Sequence, residues 1–292
     1  MLVEELSVAL KGYKSNMTTL SLDTQTFNYI SDLVRSKSAI VLDKGKDYLV
    51  ESRLVPVALE CGFDTLEKLV AELRKSNSQS LVKKVVEAMT TNETSFYRDL
   101  HPFQALKATV LPELIERRGK ERTLSIWSNA CSSGQELYSI AMLIKENFSE
   151  LASWKLKLIG TDLSSKILER AKSGVFNQTE MNRGLPMQLL LKYFTKDGVQ
   201  WRIAEEIRNM IDVQALNLIE PFPSSMQKMD VVFLRNVLIY FSPEMKTSIL
   251  NKVHASLAKD GYLFMGNAET IVNLNVKFEK QLIGNAVCFR PT

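Results

Sequence analysis

Apolar residues recur every three or four positions between residues 22 and 90, the spacing that lines one face of an α-helix. Short amphipathic helices of this kind bury their apolar faces against each other. The pattern predicts a small all-helical bundle over residues 22–90, preceded by an N-terminal extension over residues 1–21. The repeats are Phe27, Ile30, Leu33 and Val34, then Leu66, Leu69, Val70 and Leu73, then Leu81, Val82, Val85, Val86 and Met89.

The pattern changes after residue 120, where short runs rich in Val, Ile and Leu alternate with amphipathic helical stretches. Runs that are apolar on both faces are typical of parallel strands covered by helices on each side. The alternation predicts an α/β domain with a doubly wound, Rossmann-like sheet within residues 91–292. The strand runs are TLSIWSNAC, WKLKLIGTDL, MDVVFLRNV and GYLFMGNAE, and the helical stretches are about 134–147, SSKILERAKSG and PEMKTSILNKVHASLA.

Residues 192–216 interrupt this alternation with a DG turn between aromatic and apolar positions, followed by a second strand candidate at Met210 to Val213. We expect a small antiparallel β-subdomain to be inserted at about 192–216. Near the end of the chain, VKFEKQLIGNAVCFR has a GN turn between two apolar arms. It predicts a hairpin at the edge of the main sheet.

The charge pattern narrows the class of partner. The 37 basic and 33 acidic residues are spread along the chain with a formal net charge of +4, so no basic tract favours nucleic acid. Glu4 and Glu5 stand where a secretory signal has basic residues. No apolar run approaches the roughly 18 to 20 residues that cross a membrane. We expect a cytoplasmic protein without direct membrane insertion.

The three cysteines, Cys61, Cys131 and Cys288, are far apart and have no CxxC spacing. This arrangement fits neither a disulfide framework nor a zinc site. We expect buried free thiols and no metal.

Polar residues follow the predicted strands, where the loops of an open parallel sheet hold ligands. The first run ends in SNACSSGQE, whose small residues let the backbone approach a ligand, but it lacks GxGxxG and GK[ST]. A nucleoside cofactor is therefore favoured over a diphosphate. Glu136 either binds a ligand ammonium or favours the helix dipole. Asp162 either accepts ribose hydroxyls or caps the following helix.

Two later motifs, LNL at 216–218 and RNVLIYF at 235–241, also follow predicted strands. An Asn at such a place binds either the edge of an adenine or a backbone group. Tyr240 is either a core aromatic residue or a catalytic hydrogen-bond donor.

Taken together and in this order, TTNETSFYRD, SNACSSGQELYSIA, GTDLS, ALNL and FLRNVLIYF resemble the CheR family of chemotaxis receptor glutamate methyltransferases. The resemblance covers about residues 22–285 and implies a helical domain over 22–90. It also implies a methyltransferase domain over 91–292 that uses S-adenosylmethionine and contains an inserted β-subdomain.

The resemblance further implies a set of site residues. The strip from the junction of the two domains would line the cofactor site through Asn92, Thr94 and Arg98. Glu136 would contact the methionine part of the cofactor, and Asp162 would hold the ribose. The adenine and nearby cofactor atoms would be flanked by Asn217, Leu218, Asn236 and Val237.

The implied reaction is methyl transfer to a glutamate side chain in the cytoplasmic domain of a chemoreceptor, with release of S-adenosylhomocysteine. A glutamate carboxylate has a reference pKa of about 4.3, so it is ionised near neutral pH and no general base is required. Arg98 is expected to hold the acceptor carboxylate and Tyr240 to orient it. His101 and His254 are then expected to be structural.

Two stretches depart from the family pattern. SRLVPVALECG retains Arg53, but Pro56, Val57 and Leu59 stand where family members have basic residues, and residues 22–90 carry ten basic and ten acidic side chains. Electrostatic steering toward an acidic receptor is therefore expected to be weak. The short loop TKDGVQ favours members that do not tether a receptor's C-terminal peptide by strand addition.

Two other hypotheses stay open. The acceptor is a small molecule or nucleic acid in the first, although the [DN]PP[YF] signature of base methyltransferases is absent. In the second, the chain is a cofactor-sensing or scaffolding module without catalysis, although Arg98 and Tyr240 are present. Nothing in the sequence requires more than a monomer.

Overall fold

The computed structural model describes residues 22–43, 45–76 and 78–292. The chain divides into two compact units, a smaller one that ends at Met89 and a larger one that holds residues 38–40 and 90–292. The predicted extension over residues 1–21 lies outside the described residues.

The described part of the smaller unit is helical, as predicted. Its helices are α1 (Thr24–Ser38), α2 (Asp47–Glu60), α3 (Leu66–Lys75) and α4 (Gln79–Ala88). The spacing of three and four that predicted them recurs among the buried side chains, such as Ile30, Val34, Val50 and Leu54. Thr65 and Ser78 are the N-cap residues of α3 and α4, and their hydroxyl oxygens accept hydrogen bonds from backbone N–H groups of the first turn.

Arg53, the basic residue retained in α2, bonds within its own unit. Its Nη1 donates to the carbonyl oxygen of Met89 at 2.7 Å, and Met89 is the residue that ends α4. A cation at this place satisfies a carbonyl that the helix leaves without an internal partner. Arg53 therefore stabilises the end of a helix.

A seven-stranded sheet forms the centre of the larger unit. Its strands are β1 (Thr123–Asn129), β2 (Lys155–Asp162), β6 (Ile211–Ala215), β7 (Met229–Leu234), β8 (Leu257–Met265), β9 (Phe278–Ile283) and β10 (Ala286–Pro291). They lie in the order β6-β2-β1-β7-β8-β10-β9, and the first five of these are parallel. The strand order reverses between β1 and β7, which opens a crevice at their carboxyl ends.

The central strands are buried on both faces because alternate side chains enter different cores. In β7, Val231 and Phe233 belong to one apolar cluster, whereas Val232 and Leu234 belong to the other. Helices cover such a sheet on each side. The predicted doubly wound α/β class is confirmed.

The helices of the larger unit connect these strands. They are α5 (His101–Ala105), α6 (Leu111–Arg118), α7 (Gln135–Asn147), α8 (Ser165–Ser173), α9 (Gln178–Met181), α10 (Met187–Tyr193), α11 (Glu205–Arg208) and α12 (Pro243–Ser256). A π-helical turn over Leu106–Val110 joins α5 to α6. Single 3₁₀ turns cover Ser149–Ser153, Ser224–Met226 and Leu238–Tyr240.

The small antiparallel sheet differs from its predicted extent of 192–216. It contains β3 (Val175–Asn177), β4 (Phe194–Asp197) and β5 (Gln200–Ile203), in the order β3-β5-β4. The strand predicted at Met210 to Val213 is β6, which pairs in parallel with β2 at the edge of the main sheet. A half-buried edge strand such as β6 alternates between apolar and polar residues as a hairpin strand does, so the pattern could not assign β6 to the main sheet. Strand β3 is too short to show any period, so it was not predicted.

The hairpin predicted near the end of the chain is confirmed. Strands β9 and β10 pair antiparallel, with Ala286 opposite Ile283, and β10 pairs antiparallel with β8. Gly284 lies in the turn with a φ of 56°, which glycine adopts without strain. Within residues 22–43, 45–76 and 78–292, no helix is both long and apolar enough to cross a membrane.

The free cysteines differ in exposure. Cys131 and Cys288 are buried as predicted, but the prediction is wrong for Cys61, which is half-buried after the end of α2 and lies beside Lys84. Burial raises the pKa of the Cys131 thiol well above its usual range and that of Cys288 to about 11. Both buried thiols therefore stay protonated near neutral pH.

We expect Ellman's reagent to titrate Cys61 alone in the folded protein at about pH 8, because only an accessible thiolate reacts. After unfolding in denaturant, all three cysteines should react. Cys61→Ser should remove the reactive thiol of the folded protein. Rapid labelling of a second thiol in that variant would contradict the burial of Cys131 and Cys288.

Candidate active site

A cavity with an empty volume of about 890 Å³ opens at the carboxyl ends of β1, β2, β6 and β7. Every residue that lines it belongs to the larger unit. The cavity brings together all ten residues predicted for the site, whose individual roles stay predictions: Asn92, Thr94, Arg98, Glu136, Asp162, Asn217, Leu218, Asn236, Val237 and Tyr240.

The segment TNETSFYRD is anchored to the larger unit by its aromatic residues. Phe96 is fully buried, and its ring centroid lies 5.1 Å from that of Phe176. The backbone N–H of Tyr97 donates to Ser139 Oγ in α7 at 3.0 Å. Arg98 follows directly and lines the cavity. The aromatic residues thus hold the segment in place, and its polar residues face a ligand site.

The loop after β1, residues 130–134, is built from small residues in a left-handed conformation. The φ angles of Ala130, Ser132 and Gly134 are 49°, 52° and 90°. Ser132 Oγ donates to the carbonyl oxygen of Asn92 at 2.8 Å, which joins this loop to the polar segment. A Cβ on Gly134 would be strained by this φ and would lie 3.2 Å from the ring of Tyr138, a tight contact, so glycine suits this position.

Asp162 ends β2 and is buried beside the loop after β1. Its Oδ2 accepts the backbone N–H of Ser132 at 2.9 Å, and its Oδ1 accepts that of Ser164 at 3.0 Å. The cap of α8 is Ser164, whose Oγ accepts from the N–H of Ile167. Asp162 is therefore not the cap residue of α8. Its carboxylate instead holds the loops after β1 and β2. A carboxylate oxygen accepts more than one hydrogen bond, so this position is compatible with ribose binding.

Glu136 lies at the start of α7 and is paired with a buried arginine. Its Oε2 accepts from Arg235 Nη1 at 2.7 Å, and its Oε1 accepts from Ser128 Oγ at 2.7 Å. Arg235 Nη2 donates to Asp99 Oδ2 at 2.8 Å and to the carbonyl oxygen of Arg98 at 2.7 Å. The Arg235 side chain is only 1% exposed, so its charge requires these carboxylates. The Glu136 carboxylate therefore carries a structural ion pair besides any ligand contact.

Arg98 and Tyr240, predicted to act on the acceptor, are both half-buried at the cavity wall. Arg98 Nη1 donates to the carbonyl oxygen of Glu93 at 2.8 Å, a contact that uses one of the five N–H donors of a guanidinium. Tyr240 ends the 3₁₀ turn over Leu238–Tyr240. Both side chains can therefore reach one ligand volume.

The loop that carries Asn217 and Leu218 is held by its own polar groups and by α12. Asn217 Oδ1 accepts the backbone N–H of Ile219 at 3.3 Å, so part of the Asn217 amide has a backbone role. Lys252 donates to the carbonyl oxygens of Leu218 and, at 2.8 Å, of Glu220. Desolvation lowers the pKa of Lys252. These contacts fix the loop at the cavity wall.

Sequence reasoning missed two residues that support the cavity, Arg235 and Glu269. A detectable signal existed for Arg235, because a charged residue directly after an entirely apolar strand requires a buried partner. Glu269 had no such signal. Its carboxylate accepts the backbone N–H groups of Asn236 and Val237, at 2.8 and 2.9 Å, from far along the chain.

The two histidines lie away from the cavity lining. His101 Nδ1 is 3.1 Å from Gln104 Oε1, and His254 Nε2 is 3.3 Å from the carbonyl oxygen of Thr292. In the part of the chain that the structure describes, no group of His, Cys, Asp and Glu side chains is placed to hold a metal ion.

Comparison with known proteins identifies relatives along both units. The family model "CheR methyltransferase, all-alpha domain" matches residues 25–90, and "CheR methyltransferase, SAM binding domain" matches residues 92–286. The chain is 40% identical over 276 residues to chemotaxis protein methyltransferase 1 of Pseudomonas aeruginosa, covering 93% of this chain and 99% of that protein. It is 39% identical over 262 residues to chemotaxis protein methyltransferase Cher2 of Pseudomonas putida, covering 88% and 94%. The identity to chemotaxis protein methyltransferase of Vibrio parahaemolyticus is 36% over 266 residues, covering 90% and 95%.

We expect Arg235→Ala to lower the free energy of unfolding by about 3–5 kcal/mol, because it leaves the buried Glu136 carboxylate without its counter-charge. Urea denaturation at neutral pH measures the loss. Arg202→Ala is the matched control, since Arg202 pairs with Asp197 at 3.5 Å on the surface with its side chain 50% exposed. This exposed pair should contribute less than about 1 kcal/mol. Equal losses in the two variants would show that Arg235 is not a buried ion-pair centre.

Proposed function

We propose, on the premise that this chain belongs to the CheR methyltransferase family, that it forms methyl esters on glutamate side chains of chemoreceptors. The chain is an S-adenosylmethionine-dependent methyltransferase of chemotaxis. The glutamate acceptor, the receptor partner and the roles of the site residues are the proposed part.

The observation that supports the proposal is the chemistry of the cavity wall. It combines the buried carboxylates of Glu136 and Asp162 with the backbone and amide groups of Asn217 and Asn236, next to a loop without a phosphate-binding signature. S-adenosylmethionine carries an ammonium, a ribose and an adenine but no phosphate. The donors and acceptors of the wall therefore fit this cofactor.

Each part of the wall has a proposed contact. Asp162 accepts hydrogen bonds from the ribose hydroxyls. Glu136 accepts hydrogen bonds from the ammonium of the methionine part. The adenine lies between the loop after β6 and the loop after β7, and the polar segment before α5 covers the remaining cofactor atoms. The residues of these three segments are Asn217 and Leu218, Asn236 and Val237, and Asn92, Thr94 and Arg98.

The residues of the chain position the reactants and need not move a proton. When bound, the cofactor supplies a methyl group on a positively charged sulfur. A glutamate with a reference pKa of about 4.3 arrives as a carboxylate, so its oxygen attacks without a general base. Arg98 pairs with that carboxylate, and the Tyr240 hydroxyl donates to it and sets its orientation.

The proposed domain boundary lies one residue from the point where the smaller compact unit ends. We assign residues 22–90 to a helical domain and 91–292 to the methyltransferase domain, which the family matches over 25–90 and 92–286 support. All ten proposed site residues come from one chain, so a monomer is sufficient. A receptor signalling domain as acceptor places the enzyme in the cytoplasm.

We expect the purified protein to transfer radiolabelled methyl from S-adenosylmethionine to a chemoreceptor cytoplasmic fragment, and we expect the label to be released by mild base as an ester is. Arg98→Ala and Tyr240→Phe should each lower kcat/KM about 10- to 100-fold, because the carboxylate loses its alignment. Tyr240→Phe should retain the affinity for S-adenosylhomocysteine.

Arg117→Ala is the matched control, since Arg117 pairs with Glu113 on the exposed side of α6 and does not line the cavity. It should methylate at the wild-type rate. Wild-type rates in both Arg98→Ala and Tyr240→Phe at saturating cofactor would overturn their proposed roles. Label that resists base would overturn the carboxylate acceptor.

A further inference from the structure

Glu269 lies just after the last parallel strand, in a tight turn that aims its side chain at a neighbouring loop. Strand β8 ends at Met265, and the backbone N–H of Glu269 donates to the carbonyl oxygen of Gly266 at 2.9 Å. This closes the four-residue turn GNAE. The Glu269 side chain reaches the loop after β7 but is not among the residues that line the cavity.

The Glu269 carboxylate accepts four backbone N–H groups. Oε1 accepts from Val237 at 2.9 Å and from Leu238 at 2.7 Å. Oε2 accepts from Asn236 at 2.8 Å and from Gly266 at 2.7 Å. Each oxygen therefore accepts two hydrogen bonds from backbone amides, an arrangement that only an ionised carboxylate satisfies in full.

Three of these four donors begin the 3₁₀ turn over Leu238–Tyr240, where the chain has no internal acceptor for them. Asn236 has a φ of 58°, a left-handed conformation that Asn adopts more readily than most residues other than glycine. Glu269 therefore satisfies the backbone amides of this loop.

Gly266 packs closely against Glu269 and Asn236. A Cβ added at Gly266 would lie 2.8 Å from Glu269 Oε2, 2.8 Å from Asn236 Nδ2 and 2.9 Å from Asn236 N. Contacts under 3.0 Å force one partner to move. Glycine at position 266 is thus required for the turn after β8 to approach the loop after β7.

We infer that Glu269 is a positioning residue for the S-adenosylmethionine site, because it holds Asn236 and Val237 at the cavity wall and orients the turn that ends in Tyr240. The inference rests on the proposed function of that wall. Glu269 touches neither the cofactor nor the acceptor and acts only through the loop after β7. Loss of its hydrogen bonds should weaken cofactor binding before it affects the fold.

The test is Glu269→Gln, which keeps the shape of the side chain. In either orientation of the amide, its NH₂ group faces two backbone N–H donors, so two of the four hydrogen bonds are lost. We expect the dissociation constant for S-adenosylhomocysteine, measured by isothermal titration calorimetry, to rise about tenfold or more. Glu279→Gln on the exposed strand β9 removes the same charge and should bind as the wild type does.

Gly266→Ala provides a second variant that leaves Glu269 in place. It should weaken binding in the same direction, because the added Cβ separates the two loops. The midpoint of thermal unfolding without ligand is measured beside each titration. A purely structural role would lower that midpoint and leave the affinity of the folded protein unchanged.

The outcomes are distinct. Weaker binding in Glu269→Gln and Gly266→Ala, with Glu279→Gln unaffected, supports the inference. Wild-type affinity in Glu269→Gln overturns it, and if that variant does not fold, wild-type affinity in Gly266→Ala overturns it. Failure of the wild-type protein itself to bind S-adenosylhomocysteine would instead refute the proposed function.

Discussion

A buried arginine determines how the cavity is assembled. Arg235 directly follows β7 with its side chain 1% exposed, and the charge of a guanidinium removed from water needs a counter-charge close by. The carboxylates that pair with Arg235 are those of Glu136, at the start of α7, and Asp99, at the end of the polar segment. Three segments that are distant in sequence therefore meet for an electrostatic reason. The cavity wall is built around their junction.

Two other charged side chains support the wall through backbone groups. Lys252 donates to carbonyl oxygens in the loop that carries Leu218, and Glu269 accepts amide hydrogens in the loop that carries Asn236. The cation meets carbonyls and the anion meets amides, which is the favourable polarity in each case. Neither Lys252 nor Glu269 is among the residues proposed to touch the ligand, so part of the support of these two loops comes from side chains that make no ligand contact.

The layered fold could be predicted from the sequence because each central strand has apolar residues on both faces, one for each core. In β7, Val231 and Val232 point to opposite clusters, so the run is apolar throughout, and a parallel sheet follows from that pattern. The pattern failed where a strand is short or lies at an edge. The three residues of β3 carry no period, and the half-buried β6 alternates like a hairpin strand although it pairs in parallel with β2.

The cavity residues could be predicted because most of them follow a strand directly or belong to a motif. Their partners could not. Glu136 and Arg235 are 99 positions apart, and Arg235 and Asp99 are 136 apart, so no local pattern relates them. Glu269 is harder still, since its partners are backbone amides, which every residue except proline has. A carboxylate that binds only backbone leaves no complementary side chain to find.

The two arginines of the cavity differ in what matches their charge, and this difference bears on how one cavity takes a cationic cofactor and an anionic acceptor. Arg235 is matched by Glu136 and Asp99. Among the described residues Arg98 makes no ion pair, and the carbonyl of Glu93 accepts its hydrogen bond without neutralising it. An incoming carboxylate is therefore attracted to Arg98 and repelled from Asp162, the position proposed for the ribose of the cofactor. The charge pattern thus favours one orientation of the two reactants and disfavours its reverse.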